Sequence, residues 1–346
     1  MKVFWIILII LLALFILTII GCFWLTSFIR KSVLGHRYID DNTLHYFGVE
    51  DFANLKVKNV KFKSDKNDLA GYFYYSDKAN IKGIIILSHG IGAGHIQYMT
   101  EINYFVNNDY LVFAYDVRGC LNSTGKGIIF FQNAIKDLNA AIDYVKRKKE
   151  LCDYKLFLFG HSLGGYSVNN ISYFRKDISA IVSMSGFNSS NELFLDFMKP
   201  LMGNASKLMG YFLNLEEKIR LQRLANINSI DSLSNTSIPT LLISGDRDNI
   251  VNPQNNFYRY KKMLSDNKNI SFYLVEGRYH RPNITKSASE YDLKVNQEIS
   301  STKMKYKNKI PQDVSSSLYN SFDYNKLVEL DLNIMQDILK FFEAHR

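Results

Sequence analysis

Ser162 lies at the centre of a Gly-His-Ser-Leu-Gly pentapeptide that begins at Gly160. The apolar run Leu156–Phe159 before it is typical of a buried strand, and Leu163–Phe174 after it is predicted to form a helix. In that setting the serine occupies a tight turn, and its hydroxyl projects above the edge of a sheet. The helix N-terminus also favours negative charge that develops nearby. Ser162 is therefore a candidate nucleophile, although the pentapeptide alone is also compatible with an ordinary glycine-rich turn.

A serine hydroxyl is a weak nucleophile at neutral pH and needs a base, which in turn needs an orienting carboxylate. Among the seven histidines, His280 is the one on a downstream loop just after a late predicted strand, Ser271–Val275. Asp246 and Asp248 directly follow another predicted strand, at the carboxyl end where catalytic groups of parallel sheets collect. The residues alone leave open which aspartate is the acid, and either one can instead cap the turn or pair with Arg247.

Negative charge that forms on a carbonyl oxygen is stabilised by two backbone N–H groups. Leu163 directly follows the candidate nucleophile and is expected to supply one of them. The glycine-rich loop 88–94 follows the third predicted strand and is expected to supply the other, because glycine lets the backbone approach a substrate closely. The spacing of this loop is not that of a G-x-G-x-x-G phosphate loop, so a phosphate-binding role is disfavoured.

Strands that alternate with helices must position these residues. The alternation predicts an α/β fold: a mostly parallel sheet of about eight strands, with helices on both faces and an antiparallel hairpin at one edge that turns at 64–68. Residues 187–236 contain no good strand and follow the sixth one, so we expect them to form a helical cap. The predicted strands are Val57–Lys63, Leu69–Tyr75, Lys82–Ser88, Tyr110–Tyr115, Leu156–Phe159, Ala180–Met184, Thr240–Ser244 and Ser271–Val275. The predicted helices outside the cap are His95–Asn107, Phe131–Lys149, Leu163–Phe174, Pro253–Leu264 and Lys326–Ala344.

The N-terminal segment Val3–Ile29 contains no charged residue and is long enough to cross a hydrocarbon layer as a helix. Trp5 and Trp24 lie near its two ends, where aromatic belts form in membranes. We therefore expect residues 1–30 to be a single-pass anchor in the cell membrane. An alternative is a lipoprotein, because the segment that ends in Cys22 resembles a lipobox. The few flanking basic residues leave open on which side of the membrane the domain lies.

Composition narrows the class of protein. The chain has 346 residues, of which 47% are hydrophobic and 22% charged, as expected of a packed globular protein. Its net charge of +9 is spread along the sequence, which favours a solvated basic surface over nucleic-acid binding. The three cysteines form no CxxC or Cys/His cluster, so we expect no zinc site, and the sequence implies no other metal and no cofactor.

Together these motifs resemble the α/β-hydrolase superfamily, and within it the branch of serine aminopeptidases, monoacylglycerol lipases and esterases. The resemblance covers about residues 55–345. Residues 89–91, His-Gly-Ile, are similar to the family's oxyanion loop, which implies that the N–H of Ile91 is the second donor. Residues 245–251 are similar to the family's G-x-x-D-x-x-V motif, which selects Asp248 as the acid.

Two further loops carry the same resemblance. Residues 276–280 fit the family's histidine loop, which implies that His280 is the base. Residues 116–123 are similar to a D-x-R-G-x-G-x-S loop whose expected role is to order the surroundings of the site. This chain departs from that pattern at Leu121, where the second glycine is usual.

The resemblance implies a hydrolase domain over 56–346, joined to the anchor by a linker at 31–55, with a cap at 187–236 and an excursion at 281–324. It implies cleavage of a carboxylic ester, from a small molecule or an acyl lipid, through an acyl-enzyme on Ser162. The apolar cap is expected either to accept acyl chains or to form a small core of its own. Alternatives are a lipid acyltransferase, a serine aminopeptidase, for which Glu192 and Asp196 are available to bind an amine, and a catalytically silent binding protein on the same fold.

Overall fold

The structure is a computed structural model of the chain, and it describes residues 1–39, 47–77, 80–307 and 309–346. Part of the predicted linker, 40–46, lies outside the described residues. Within them, eight strands form one sheet in the order β1-β2-β4-β3-β5-β6-β7-β8. The β1–β2 and β2–β4 pairs are antiparallel and all other pairs are parallel, so the predicted fold class is confirmed. The strands are β1 (Lys56–Ser64), β2 (Asn67–Tyr75), β3 (Gly83–Ser88), β4 (Tyr110–Tyr115), β5 (Leu156–His161), β6 (Ala180–Met184), β7 (Thr240–Gly245) and β8 (Ile270–Val275).

Helices cover both faces of the sheet. They are α1 (Lys2–Leu34), α2 (Met99–Asn107), α3 (Gln132–Lys146), α4 (Leu163–Ile171), α5 (Ser190–Met202), α6 (Ala205–Leu221), α7 (Ser229–Ser234), α8 (Phe257–Met263), α9 (Lys286–Lys305), α10 (Gln312–Asn320), α11 (Tyr324–Leu327) and α12 (Leu332–Ala344). Side chains of α3 and α4 pack on one face of the sheet, and those of α2 and α12 on the other. Strands β3, β4 and β5 are buried along their whole length, which explains their unbroken apolar runs.

Several predicted ends are shifted by up to four residues, and two predictions are wrong in kind. The hairpin turn contains only Asp65 and Lys66, because the ladder between β1 and β2 continues to the pair Ser64–Asn67. The last predicted helix is divided into α11 and α12. Asp331 lies directly before α12 and marks the start of that helix. Its carboxylate accepts hydrogen bonds from the first N–H groups of α12, at 3.2 Å and 3.5 Å, as an N-cap residue does.

Residues 281–324, to which the sequence assigned no role, contain the helices α9 and α10. Val295, Tyr319 and Phe322 form a small buried apolar cluster that joins these two helices. Tyr291 and Ile299 pack against the same cluster from α9. The segment is therefore a folded helical layer with its own apolar contacts.

Helix α1 is exposed over most of its length and becomes buried only toward its C-terminal end, at Thr26, Ser27, Arg30 and Leu34. Its length and apolar composition suit a membrane span, and a signal sequence shares both properties. The buried end packs against α6, which forms the α5–α6 hairpin (Ser190–Leu221) with α5. Residues 187–236 thus fold as helices between β6 and β7.

Candidate active site

Ser162 occupies the turn between β5 and α4, with its backbone at a φ of 57°. A positive φ is unfavourable for a residue with a Cβ, and such strain is often found at functional positions. The turn holds because the N–H of Ser162 donates to the Met184 carbonyl at 2.8 Å. Gly164 must be a glycine, because a Cβ there would overlap the carbonyl oxygen of Ser88. Likewise a Cβ on Gly160 would overlap the carbonyl of Gly164, so the two glycines let strand and helix meet.

The structure brings His280 and Asp248 together. The Nδ1 atom of His280 lies 3.0 Å and 2.9 Å from the two carboxylate oxygens of Asp248. The N–H groups of Ile250 and Val251 also donate to this carboxylate, each at 2.9 Å. Burial alone would raise the pKa of Asp248, but the imidazole and these amides hold it below its usual value. Asp246 has another task, since it accepts a hydrogen bond from the N–H of Arg278 and so fixes the histidine loop.

Ser162 and His280 line one cavity of about 490 Å³. No hydrogen bond joins the serine hydroxyl to the imidazole among the contacts of the described residues, a common situation in ligand-free sites. Ile91 lines the same cavity from the loop after β3. Leu163, the first residue of α4, lies directly behind the serine. All five residues named by the sequence therefore lie at or beside this cavity, at the edge of the sheet where β3, β5, β7 and β8 end.

His161 and Tyr98 connect the loops of the site, and sequence reasoning missed both. His161 Nε2 lies 2.9 Å from the carbonyl oxygen of His280, and its Nδ1 lies 2.7 Å from the Tyr98 hydroxyl. That hydroxyl accepts a hydrogen bond from the N–H of Gly90 at 3.0 Å. Burial, and then the neighbouring His280, lower the pKa of His161 to about 3, so its ring is neutral. The only signal in the sequence was the position of His161 beside the candidate nucleophile.

The cavity is lined on one side by residues 90–100 and on another by the helical layer at 281–324 together with α11, and not by the α5–α6 hairpin. The apolar lining on the helical side consists of Val295, Ile299, Tyr319, Phe322, Tyr324, Leu327 and Val328. No residue of 187–236, a range that is fully described, lines the cavity. The structure therefore favours the second alternative for the apolar cap, a small core of its own, because its buried side chains pack against one another and against α1.

Charged groups of the cavity lie on its helical wall. Arg281 pairs with the buried Glu101 at 2.9 Å, so its charge is compensated. Asp292 also lines the cavity, and burial raises its pKa. The two carboxylates suggested by the sequence lie elsewhere: Glu192 pairs with Arg259, and Asp196 accepts a hydrogen bond from Asn255.

The loop 116–123 orders the surroundings of the site, as the sequence suggested. Asp116 accepts a hydrogen bond from the ring of His95 at 2.8 Å, and Arg118 forms a buried ion pair with Asp137 at 2.6 Å. Leu121 has a φ of 38°, a conformation that glycine adopts without strain. This explains why the glycine of the related pattern suits that position.

The described residues contain no group of three or more histidine, cysteine, aspartate or glutamate side chains suited to a metal ion.

Comparisons with known proteins agree with this architecture. Residues 79–227, less than half of the chain, match the family model of serine aminopeptidases of family S33. Monoglyceride lipase of Mus musculus is 22% identical over 247 residues, which cover 60% of this chain and 78% of the lipase. The uncharacterized protein YfhR of Escherichia coli is 25% identical over 245 residues, which cover 69% of this chain and 77% of that protein. An esterase from Pyrococcus furiosus superposes with a TM-score of 0.56 at 17% identity, over 76% of this chain and 96% of the esterase.

The sheet order, the strand-to-helix turn at Ser162 and the structural similarity define the class of the fold, which is that of the α/β-hydrolases. Within that class its central part is similar to the serine aminopeptidase family, and its curated relatives include a monoglyceride lipase.

Proposed function

We propose that the chain is a serine hydrolase, anchored in the cell membrane, that cleaves carboxylic esters with apolar acyl groups. One observation carries the proposal. Ser162 sits on a strained strand-to-helix turn, inside a cavity it shares with His280, whose ring is hydrogen-bonded to Asp248. This is the arrangement that activates a serine hydroxyl in acyl transfer.

In the proposed mechanism, Asp248 accepts the Nδ1 proton of His280 in a hydrogen bond and leaves Nε2 free as a base. Nε2 takes the proton of Ser162 as Oγ attacks the ester carbonyl. The N–H groups of Ile91 and Leu163 stabilise the oxyanion. His280 then protonates the departing alcohol, and a water molecule, activated by the same imidazole, hydrolyses the acyl-enzyme.

The lining of the cavity supports an apolar acyl group as the bound part of the substrate. Side chains such as Val295, Ile299 and Phe322 offer no hydrogen-bond donor or acceptor to a substrate. Burial of each methylene of an acyl chain against such a wall contributes about 0.8 kcal/mol. An acylglycerol or another membrane-derived acyl ester is the substrate class we favour, because α1 suits a membrane span and one relative is a monoglyceride lipase.

The anchor follows from α1. Its first 20 residues are exposed apolar side chains for the most part, which need a lipid environment. We propose that α1 spans the membrane once, with cleavage and lipidation at Cys22 as the alternative. Both versions hold the catalytic domain at a membrane surface.

A second candidate is an aminopeptidase. It is favoured by the family model and by Asp292, a carboxylate of the cavity wall that an amine could pair with. Because burial raises the pKa of Asp292, a positively charged substrate amine would restore its charged form. This candidate predicts faster cleavage of aminoacyl anilides than of simple esters.

Fluorophosphonate labelling of the full chain in detergent tests the proposal. We expect the wild type and a Ser265→Ala control, changed at an exposed serine, to be labelled, and Ser162→Ala to remain unlabelled. In a comparable triad, removal of the serine lowers turnover by roughly 10⁶-fold. Labelling that persists in Ser162→Ala would reject Ser162 as the nucleophile, because another residue then reacts with the probe. No labelling of the wild type would reject the serine mechanism and favour a silent binding protein. p-Nitrophenyl esters compared with aminoacyl anilides then separate esterase from aminopeptidase.

A further inference from the structure

The α5–α6 hairpin carries an apolar surface that the catalytic cavity does not use. Leu208, Tyr211, Leu215 and Ile219 repeat at intervals of three and four, so they form one stripe along α6. These side chains are between 37% and 65% exposed. Soluble proteins rarely expose a continuous apolar patch of this kind without a partner.

A buried ion pair fixes this hairpin to α1. Arg30 donates to Glu216 on α6 through two nitrogens, at 2.7 Å and 3.1 Å, and Ser27 donates to the same carboxylate at 3.1 Å. Both charged side chains are almost completely buried. Met209 and Phe212 are buried on the same face of α6 as Glu216, seven and four residues earlier. The stripe is therefore held rigidly beside α1.

The contact continues outward along α1. Thr26 is buried, and Cys22 and Phe23 are half-buried, all on the N-terminal side of the ion pair. Helix α6 packs against α1, and the ion pair places the C-terminal part of α6 against the buried end of α1. The base of the hairpin stays at the domain, where Ser190 donates to Glu217 at 2.5 Å. The hairpin therefore has its base at the domain and its tip near Gly203, between α5 and α6.

The two tryptophans of α1 indicate where the membrane surface crosses this helix. Trp5 and Trp24 are both exposed, and their 19-residue separation corresponds to about 28 Å of helix, close to the thickness of a hydrocarbon layer. Lipidation at Cys22, the alternative for the N-terminus, would set the surface at the same level. Arg30, which pairs with Glu216 of α6, is six residues beyond Trp24, about 9 Å along the helix, so α6 meets α1 close to this level.

We propose that the α5–α6 hairpin lies in the bilayer interface, with its stripe against acyl chains. The proposal rests on the membrane attachment proposed above. Lipid is the occupant because the stripe continues the exposed apolar surface of α1. The charges fit as well: between Phe197 and Leu215 the only charged residues are Lys199 and Lys207, both exposed, which suits lipid phosphates.

Quenching of a fluorophore by spin-labelled lipid tests the proposal. The full chain, with Cys22→Ser and Cys152→Ser, is placed singly in nanodiscs of phosphatidylcholine and phosphatidylglycerol and labelled with an NBD dye at Leu208→Cys or Leu215→Cys. Met304→Cys is the control for an exposed position outside the proposed interface, because Met304 lies on α9 and is 78% exposed. Ile10→Cys, within α1, reports on the anchor.

We expect doxyl-phosphatidylcholine to quench the dye at both hairpin positions by at least about twofold, as at Ile10, and to leave the Met304 position unchanged. Quenching at Ile10 without quenching at the hairpin would overturn the proposal and leave the anchor standing. An apolar shift of the NBD emission at the hairpin that the doxyl lipid does not quench would also overturn the proposal. It would indicate that the stripe contacts protein and not lipid. No quenching at Ile10 would reject the anchor and the hairpin proposal together. Ester hydrolysis by the same samples reports separately on the proposed chemistry.

Discussion

His161 Nε2 lies 2.9 Å from the backbone carbonyl oxygen of His280, so the residue before the candidate nucleophile holds the loop of the candidate base. A carbonyl oxygen only accepts hydrogen bonds, so Nε2 carries the proton, and Nδ1 of the neutral ring accepts from the Tyr98 hydroxyl. That hydroxyl in turn accepts from the N–H of Gly90. One short chain of hydrogen bonds therefore joins the oxyanion loop, the elbow and the histidine loop.

Removal of the Tyr98 hydroxyl or of the His161 ring should weaken catalysis, because either change releases the loops that these hydrogen bonds hold. Tyr98→Phe leaves the N–H of Gly90 and Nδ1 of His161 without partners, at a cost of about 1–3 kcal/mol. His161→Ala frees the carbonyl of His280. Because both act through one network, the double variant should lose less kcat than the product of the two single losses, whereas KM should change little.

The measurement is ester hydrolysis by four proteins: the wild type, Tyr98→Phe, His161→Ala and the double variant. His161→Gln is expected to recover much of the loss, since its amide can donate to one neighbour and accept from the other. Tyr173→Phe, at an exposed tyrosine, serves as the control. Strictly multiplicative losses would show that the two residues act independently.

The lowered pKa of His161 predicts an acid-dependent loss of stability. The folded ring has a pKa of about 3 against an ordinary value of 6.5. Between these values the unfolded chain binds a proton that the folded chain does not, so the free energy of unfolding falls as the pH is lowered through this window. Thermal unfolding of the full chain in detergent should show a smaller decrease between pH 6.5 and 4 for His161→Gln than for the wild type. Equal decreases in the two proteins would contradict the assignment.

Gly164→Ala should disrupt the elbow. The new methyl group would meet the backbone of β3 at Ser88, which has no flexible end that could move aside. We expect a loss of about 3 kcal/mol or more in stability, together with loss of activity. Gly21→Ala is the matched control, because a Cβ there meets no atom within 4 Å, and it should leave the unfolding temperature unchanged. A folded and active Gly164→Ala protein would mean that the turn can widen.

The helical wall predicts how the chain length of the acyl group is limited. Ile299→Trp should fill part of the cavity and exclude two or more methylenes, which lowers kcat/KM for long-chain esters by about tenfold or more relative to acetate. Met304→Trp, on the same helix but outside the cavity lining, should leave the profile unchanged. A series of p-nitrophenyl esters measures both. An unaltered profile for Ile299→Trp would place the acyl chain elsewhere.

Much of the fold was predictable because burial leaves a strong pattern in the sequence. Strands covered on both faces require unbroken apolar runs. Segments such as Ile84–Leu87 and Leu156–Phe159 are short runs of this kind, and both proved to be fully buried strands. The placement of Ser162 followed from the strand before it and the glycines around it. The ends of two further strands pointed to His280 and to the two aspartates Asp246 and Asp248, and the family resemblance selected Asp248. These residues share the cavity or its rim in the structure.

The wall of the cavity was not predictable in the same way. Helix α9 buries few apolar residues, among them Val295, and most of its surface is polar, so its sequence resembles a solvated segment. Conversely, the apolar richness of the α5–α6 hairpin suggested a substrate lid, although its exposed stripe lies outside the cavity. Composition reports that a side chain needs an apolar neighbour, but not which neighbour. The roles of Tyr98 and His161 depend on contacts across 63 residues of chain, which no local pattern encodes.

The backbone conformation of Ser162 also links the proposed reactivity of this residue to a loss of folding stability. At a φ of 57° any residue with a Cβ is strained, by about 1–3 kcal/mol, whereas glycine is not. Glycine at this position would relieve the strain and remove the hydroxyl in a single step. The proposed nucleophile therefore costs the folded chain stability, and selection for thermal stability alone would favour its loss.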